Sequence, residues 1–600
     1  MKDEDLNKLE EIVLSYPRLK QRIENSENPK KEREKALKNL DEIKADFSLT
    51  TIKTFEKALD ATLAKLYDGI NLEANGIDFK KLTSENSVVL VPNHQSHADY
   101  VAINYKVFKD YKIPLHVAGG NNLNIFPIGK LFRKSGCFFI RRSFQNDILY
   151  KITLEAYLYY LLMLKKPIEF FFEGGRSRTG KLLPPRFGLY QMLLEAHQQL
   201  PEDKKSPLLF LPVSIAHEYV PEQQSLAREL RGGKKKKEST RQLFKLFKLL
   251  SYQFGNVHIH FGDVVQADPN IPEIKIRTQN LAFDCFRQVG RRMVVTPTSL
   301  LALVLLDEPT GALKWAGLLA NCQQIIDYCK HFEIPLTDSL KSENWEKTLG
   351  RAMDILIANE KVDVIGKSKR GQVFYAIKEE SRPELLYFKN TILHHFLVPW
   401  SITTAWFSLF NGSIQNVEDL KRHFLTQRDL LKHEFYLPTM REFYKKTVEV
   451  ISWCIRREVK TFEECMQLTH KELYAILSHI GLFSRSCHYI YEAYYVSAQT
   501  LWLLCEEGKA HKEGIRSEEF EKRLKNVYQE ERNLEGVIQF TESYSLPMMR
   551  NSLKYFTQQH IIRHEHAKIY VNDPDVLQGL ILAFEEDLKE HQRFHLRANI

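Results

Sequence analysis

The sequence predicts an α/β layer domain set between a helical N-terminal segment and a long, mainly helical C-terminal region. Short apolar runs alternate with amphipathic helical stretches from about residue 84 to 295, and on either side of that interval the strand signal nearly vanishes. Composition agrees: 26 Gly and 22 Pro in 600 residues fall below the average usage of about 12%, which favours helices. At about 150 residues per domain, this length implies two to four units.

Taken in order, residues 1–75 are charge-rich with helical spacing, as in ENPKKEREKALKNLDEIK, and read as a helical segment. Residues 76–295 carry the runs Val88 to Val91, Leu115 to Ala118, Cys137 to Ile140, Ile168 to Phe172, Leu208 to Ile215 and Val257 to Phe261 as strands. Ile148 to Lys165 and Leu189 to His197 are the amphipathic helices between them. Residues 296–600 read as helical and rich in Tyr and Phe, with one hairpin near 362–377, VDVIGKSKRGQVFYAI.

A hydrophobic fraction of 44% and a charged fraction of 27% exclude a disordered, collagen-like or low-complexity chain. Eighty-five basic against 76 acidic residues give +9, too mild an excess to choose between nucleic acid, anionic lipid and an acidic small substrate. The eight Cys, at 137, 285, 322, 329, 454, 465, 487 and 505, form no CxxC and no zinc-finger spacing, so no metal is expected and the thiols read as reduced and cytosolic. The start, MKDEDLNKLEEIVLSYP, has no apolar stretch behind a basic one and predicts no secretory signal. No run of about 18 apolar residues is present, so spanning a membrane is not expected, while lying on its surface is left open.

Four strand-end segments carry the chemistry. In VPNHQSHADY, His94 and Asp99 stand five apart; they cannot share a helix face, but meet if His94 sits on the turn before a helix and Asp99 in its first turns. A carboxylate would then hold one imidazole nitrogen and leave the other as a base. A helix-capping histidine with Asp99 as its dipole partner, and a metal pair with His97, are the other readings of the same residues. In GCFFIRR, Arg141 and Arg142 end a strand, and alternation lets one of them enter a cleft as a phosphate fork. In FFFEGGRSRTGK, Gly175 to Lys181 matches the GxxxxGK core of a phosphate loop, but Leu182 stands where Ser or Thr should hold magnesium and Pro184-Pro185 block the helix that should follow. What survives is a basic loop of open backbone: Glu173, Gly174, Gly175, Arg176, Ser177, Arg178 and Lys181, suited to a small phosphorylated substrate, with Glu173 bonding a substrate hydroxyl or fixing the arginines. In LLFLPVSIAHEY, Pro212 inside a strand predicts a bend or a cleft border. Neither GxSxG nor GxGxxG occurs, which argues against a serine hydrolase of the elbow type and a dinucleotide fold.

These four segments in this order resemble the glycerolipid acyltransferase superfamily, and VPNHQSHADY, AGGNNLN, FFIRRSF, FFEGGRSRTGKLL and FGLYQM are similar to its glycerol-3-phosphate acyltransferase branch, with dihydroxyacetone-phosphate acyltransferases close by. The resemblance covers residues 85–295, with a weaker echo at Leu386 to Phe396, LYFKNTILHHF. It implies an α/β acyltransferase domain, a mixed sheet covered by helices. It also implies transfer of an acyl group from acyl-CoA or acyl carrier protein, as co-substrate without a cofactor, to the 1-hydroxyl of glycerol 3-phosphate. On this resemblance His94 is the general base and Asp99 its holder; Arg141, Glu173, Arg176, Arg178 and Lys181 bind the acceptor, and Pro212 shapes the acyl side. The ending Arg-Ala-Asn-Ile lacks an SKL-type signal, which weighs against the dihydroxyacetone-phosphate alternative.

An enzyme of this kind releases a lysophospholipid, so peripheral or monotopic attachment at the cytoplasmic face of an anionic membrane is expected. The basic run Arg231 to Lys237 with the amphipathic stretch 241–250, and the aromatic segment Phe396 to Phe410, are the candidate seats. A solvated loop and an ordinary covering helix read the first seat equally well. A nucleic-acid-binding protein is the alternative from another class, resting on the basic run and the GKSKRGQ turn; it leaves His94, Asp99 and the FFEGGRSR loop unexplained.

Overall fold

Six consecutive buried residues, Ser87–Pro92, form the central strand of a seven-stranded sheet. A strand covered on both faces reads as an unbroken apolar run, as SVVLVP does, because neither face meets water. The computed structural model describes residues 3–124, 128–141, 147–220, 222–233, 254–308, 310–366, 373–435, 437–534, 536–539 and 541–598. The chain divides into two compact units, a first made of Met1–Ser177, Leu183–Pro221 and Lys236–Val294 and a second made of Arg178–Leu182, Glu222–Lys235 and Val295–Ile600. The linear division at 295/296 therefore leaves out two short segments that pack with the second unit, Arg178–Leu182 and Glu222–Lys235.

In the first unit the strands are β1 (Gly69–Glu73), β2 (Ser87–Pro92), β3 (His116–Gly120), β4 (Cys137–Ile140), β5 (Ile168–Glu169), β6 (Leu208–His217) and β7 (Asn256–Phe261), in the order β1-β7-β6-β2-β5-β3-β4. The sheet is mixed: β6, β2, β5, β3 and β4 run parallel, and β7 joins β6 antiparallel with β1 parallel to it. The ends of β2, β4, β5 and β6 consequently lie along one edge, where side chains from separated parts of the sequence converge.

Two differences from the sequence reading concern strands. GINLE, taken within a helical segment, is the edge strand β1; two apolar residues out of five are too weak a signal, and pairing with β7 from Gly69↔Asn256 to Glu73↔His260 decides the matter. The run Ile168 to Phe172 is regular only over β5, yet Phe170 N–H donates to Leu90 O at 3.1 Å and Phe172 N–H to Pro92 O at 3.3 Å, so the chain stays beside β2 up to the basic loop. Phe170, Phe171 and Phe172 are all buried, each contributing about 1.5–3 kcal/mol of apolar burial that anchors the loop.

Four helices precede the sheet: Asp3–Ser15, Pro17–Glu24, Pro29–Ile43 and Leu49–Leu66. Pro29–Ile43 starts where Asn28 accepts the Lys31 N–H at 3.0 Å and Pro29 fills the first turn. It packs on Ile148–Met163, a helix apolar on all sides and correspondingly buried over most of its length.

The second unit is mainly helical. All eleven residues of Pro297–Asp307 and all eleven of Arg382–Ile392 are buried, and charges among them are paired: Lys389 with Asp307 at 2.5 Å and Arg382 with Glu542 at 2.6 Å. Val362–Ile365 and Phe374–Ile377 pair antiparallel, and Ala312–Lys314 adds a third strand. A further hairpin, Ile562–Glu565 with Lys568–Val571, escaped the sequence reading. Its turn residues His566 and Ala567 take φ of 47° and 61°, positions where Asn or Gly normally signals such a turn. The aromatic segment Phe396 to Phe410 is no surface seat: Leu397 to Trp406 are buried, and Trp406 Nε1 donates to Leu473 O at 2.8 Å, so its tryptophans serve the core. No described helix is long and apolar enough to cross a membrane. Arg142 and the stretch from Lys234 through 250, which holds most of the basic seat, lie outside the described residues.

Candidate active site

The turn after β2 is fastened before it does any chemistry. Asn93 Nδ2 donates to Ile215 O at 3.1 Å and Ile215 N–H donates to Asn93 Oδ1 at 2.8 Å, so one amide binds the turn to the neighbouring strand β6. His94 follows on this turn and Asp99 opens the helix Asp99–Tyr111. Asp99 Oδ2 stands 2.8 Å from His94 Nδ1 and accepts the N–H groups of Gln95 at 2.6 Å and Ser96 at 2.9 Å. Its Oδ1 faces Nε2 of His217, the last residue of β6, at 2.6 Å.

Asp99 is wholly buried, and burial alone pushes a carboxyl up. The hydrogen bonds from His217 and His94 overcome it and hold Asp99 well below the usual carboxylate range. An ionised carboxylate only accepts, so the nitrogens that face it, His94 Nδ1 and His217 Nε2, carry the protons. In the neutral ring His94 Nε2 is then the lone-pair nitrogen. The imidazole is flanked by Phe171, with centroids 4.3 Å apart, and by the edge of Tyr100 at 5.0 Å.

The basic loop meets this turn through its first half. Ser177 N–H donates to His94 O at 2.9 Å. Glu173 is buried, its carboxyl accepts the backbone N–H groups of His94 and Leu183, and burial raises it well above the ordinary range. Glu173 therefore fixes the backbone of His94 rather than the arginines. Gly174 needs its freedom, at φ 67° with the Arg186 side chain 3.0 Å from where a Cβ would stand, while Gly175 has open space there. The half-buried Arg176 is close enough for its charge to act on Tyr100.

The other predicted cations that the structure describes are engaged with carboxylates. Arg141, at the end of β4, donates to Glu42 at 2.9 and 2.6 Å and to Asp147 at 2.8 Å, its guanidinium 4.1 Å from the centre of the Tyr150 ring. By strand order it stands three strand spacings from β2, about 14 Å. In the second unit, Arg178 pairs with Glu229 at 3.0 Å, and the buried Lys181 pairs with Glu434 between the rings of Phe435 and Tyr489. Asn390, from the LYFKN segment, donates to Thr179 O at 2.8 Å, and a Cβ on Gly180 would stand 1.9 Å from Tyr387 O, so only glycine fits. Residues 178–182 are thus a structural latch within that unit. Arg141, Arg178 and Lys181, expected at the phosphate, each carry a carboxylate partner in the structure.

Beside the histidine, the helices Leu49–Leu66 and Asp99–Tyr111 and strands β3 and β4 enclose an open, mainly apolar cavity. Tyr100, Val101, Phe108, Leu115, Phe132 and Cys137 line it. It begins one ring from the imidazole, since Tyr100 is shared. Asn104, also on its wall, donates to Glu169 at 2.8 Å; burial pushes that carboxyl up to about 8. Pro212, expected on the acyl side, is not among the lining residues; it pairs with Val91 and packs against Gly262. His217, quoted in the fourth segment but given no role there, is the residue that sequence reasoning missed. No cluster of three or more His, Cys, Asp or Glu side chains suited to a metal occurs among the described residues.

Residues 76–216 match a family described as "Acyltransferase", and residues 226–565 match one described as "Glycerol-3-phosphate acyltransferase C-terminal region". Among curated relatives, the glycerol-3-phosphate acyltransferase of Pseudomonas fluorescens (strain SBW25) is 32% identical over 397 residues, 62% of this chain and 45% of the relative. That of Pseudoalteromonas translucida (strain TAC 125) is 30% identical over 456 residues, 72% of this chain and 55% of the relative. The chain spans about half the length of the curated relatives it matches.

Proposed function

The chain belongs to the glycerol-3-phosphate acyltransferase family, and from that premise we propose that it transfers an acyl group from a thioester, acyl-CoA or acyl carrier protein, to the 1-hydroxyl of glycerol 3-phosphate. One observation carries the reading: a buried His94–Asp99 pair whose imidazole lies one aromatic side chain away from an apolar cavity.

In this mechanism His94 Nε2 takes the proton of the acceptor hydroxyl as its oxygen attacks the thioester carbonyl. The C–O bond forms, the C–S bond breaks, and the proton passes to the departing thiolate, whose pKa near 8.5 demands little acid assistance. Asp99 keeps the imidazole in the reactive tautomer and stabilises the imidazolium. Base placement accounts for about 10²–10⁴ in rate, and holding two substrates together adds a proximity term at least as large. The cavity takes the acyl chain, each buried methylene contributing about 0.8 kcal/mol. Arg176 and the open backbone at Gly175 take the acceptor phosphate. Attachment to an anionic membrane through the basic run Arg231 to Lys237 and the amphipathic stretch 241–250 completes the reading, since a lysophospholipid product must enter a bilayer.

An acceptor panel with palmitoyl-CoA tests it: glycerol 3-phosphate, dihydroxyacetone phosphate, 1-acylglycerol 3-phosphate and glycerol. Glycerol 3-phosphate is expected to be acylated fastest and H94A to be inactive while still folded. Faster acylation of dihydroxyacetone phosphate reassigns the acceptor, and an H94A enzyme within about tenfold of the native one removes the base.

A further inference from the structure

We propose that His217, which the transfer chemistry never touches, is a positioning residue of this site: its Nε2–H occupies the second oxygen of Asp99, so that one carboxylate is oriented between two imidazoles. The proposal rests on the functional reading above.

Among the described residues, Asp99 Oδ2 receives three donors, from His94 and the Gln95 and Ser96 backbones, and Oδ1 receives one, from His217. Without His217 the buried carboxylate would keep one oxygen unbonded and could rotate about its C–C bond, carrying the His94 acceptor with it. His217 is no ordinary satisfied core histidine. Its side chain is 0% exposed, its Nδ1 has no hydrogen-bond partner among the described residues, and Asp99 is the polar group its ring meets. A leucine would fill that space without stranding a nitrogen but would leave Oδ1 of the buried Asp99 unbonded, so what the imidazole supplies here is its donor to Asp99. The stranded Nδ1 also fixes the tautomer, because a proton there would find no acceptor; Nε2 is the nitrogen that carries hydrogen, toward Asp99.

The position is rigid. His217 ends β6, which is bonded to β2 from Ser87↔Leu208 to Pro92↔Val213 and to the Asn93 turn through Ile215. Both histidines therefore ride on one framework, with Tyr67 tilted over His217 at 6.3 Å. The titratable groups facing Asp99 are His94 on its own turn, His217 from β6, and Glu169 and Glu173 from β5 and the loop beyond it; Tyr100 follows on the same helix.

H217L keeps the volume and removes the donor; H217Q returns an amide N–H to the same place. Expected for H217L is a kcat lower by about 10- to 100-fold, the size of one hydrogen bond to a charged group, with both KM values within about twofold. The acid limb of its kcat profile should move to higher pH, because the charge withdrawn by His217 returns to the oxygen that faces His94 and favours the imidazolium. H217Q should recover most of the rate and the native limb, and H217A read alongside separates lost volume from lost donor. A merely structural histidine would lower melting temperature and active fraction without moving the limb. Native-like kinetics and pH profile in H217L, or an H217Q as impaired as H217L, overturn the proposal. If H94A is inactive while H217L matches the native enzyme, this inference alone fails; if the native chain transfers no acyl group, the functional reading fails and takes this one with it.

Discussion

Replacing Asp99 by asparagine tests the site at its most constrained atom. Among the described residues the carboxylate accepts from four donors: two imidazole nitrogens and two backbone N–H groups. An amide of the same shape must turn its NH₂ toward one of the two sides. Facing His94, it sets an NH₂ against the Gln95 and Ser96 N–H groups and forces the proton from Nδ1 to Nε2, so the base is lost; facing His217, it forces a proton onto the buried Nδ1 of that ring, which has no partner among the described residues. Either way the charge that stabilises the imidazolium is gone. Wrong-tautomer replacements of this kind cost about 10⁴ in kcat, or about 5 kcal/mol of transition-state stabilisation at 1.36 kcal/mol per decade. The mismatched buried donor costs a further ~1–3 kcal/mol of stability. Asp99 is held below its unfolded value, so the stability it contributes is present above about pH 4 and is lost only as pH falls through the depressed folded value. At neutral pH the variant should therefore melt lower than the native chain, and that gap should narrow in acid. Initial rates at saturating palmitoyl-CoA and glycerol 3-phosphate, with melts from pH 7 down to about pH 2, read both effects. A D99N enzyme within about tenfold of native kcat would refute the reasoning.

Filling the cavity in V101W should exclude about four methylenes, about 3 kcal/mol, and lower kcat/KM for palmitoyl-CoA about 200-fold relative to octanoyl-CoA; an equal loss on both donors would place the acyl chain elsewhere. Glu169 has a folded value raised to about 8, so native stability should fall as pH rises from about 4.5 to 8. E169Q removes that dependence, and its advantage in melting temperature should grow from pH 5 to 8.5; a gap independent of pH sinks the assignment. R176A should raise the KM for glycerol 3-phosphate about tenfold or more with little change for the acyl donor. R141A, by contrast, breaks a partly exposed pair with Glu42 and should cost about 1 kcal/mol of stability while leaving both KM values within about twofold; the reverse ranking restores Arg141 to the phosphate.

Among the strands, what was legible depended on whether local chemistry or a distant partner made the element. SVVLVP, CFFI and the 208–217 run announce themselves because burial on both faces demands unbroken apolar residues. GINLE does not, since its strand character comes from β7, nearly two hundred residues later. Nor does the turn at His566-Ala567, which adopts positive φ without the residues that usually signal it. The aromatic helix Leu397–Phe410 has the composition of an interfacial segment and the burial of a core one, a distinction composition cannot draw.

For the site, the five-residue spacing of His94 and Asp99 was sufficient, because a turn followed by a helix start leaves one way for the two side chains to meet. Sequence also marked the loop from Glu173 onward as special, since glycines, cations and an apolar anchor coincide there. Which cations are already engaged was decided by tertiary structure: Glu42, Glu229 and Glu434 come from remote positions and hold Arg141, Arg178 and Lys181. So was His217, whose place opposite Asp99 follows from β6 lying beside β2, 118 residues away in sequence and 2.6 Å away in space. Spacing along a chain fixes contacts within a turn or two; beyond that, the order of strands in the sheet determines which residues become neighbours.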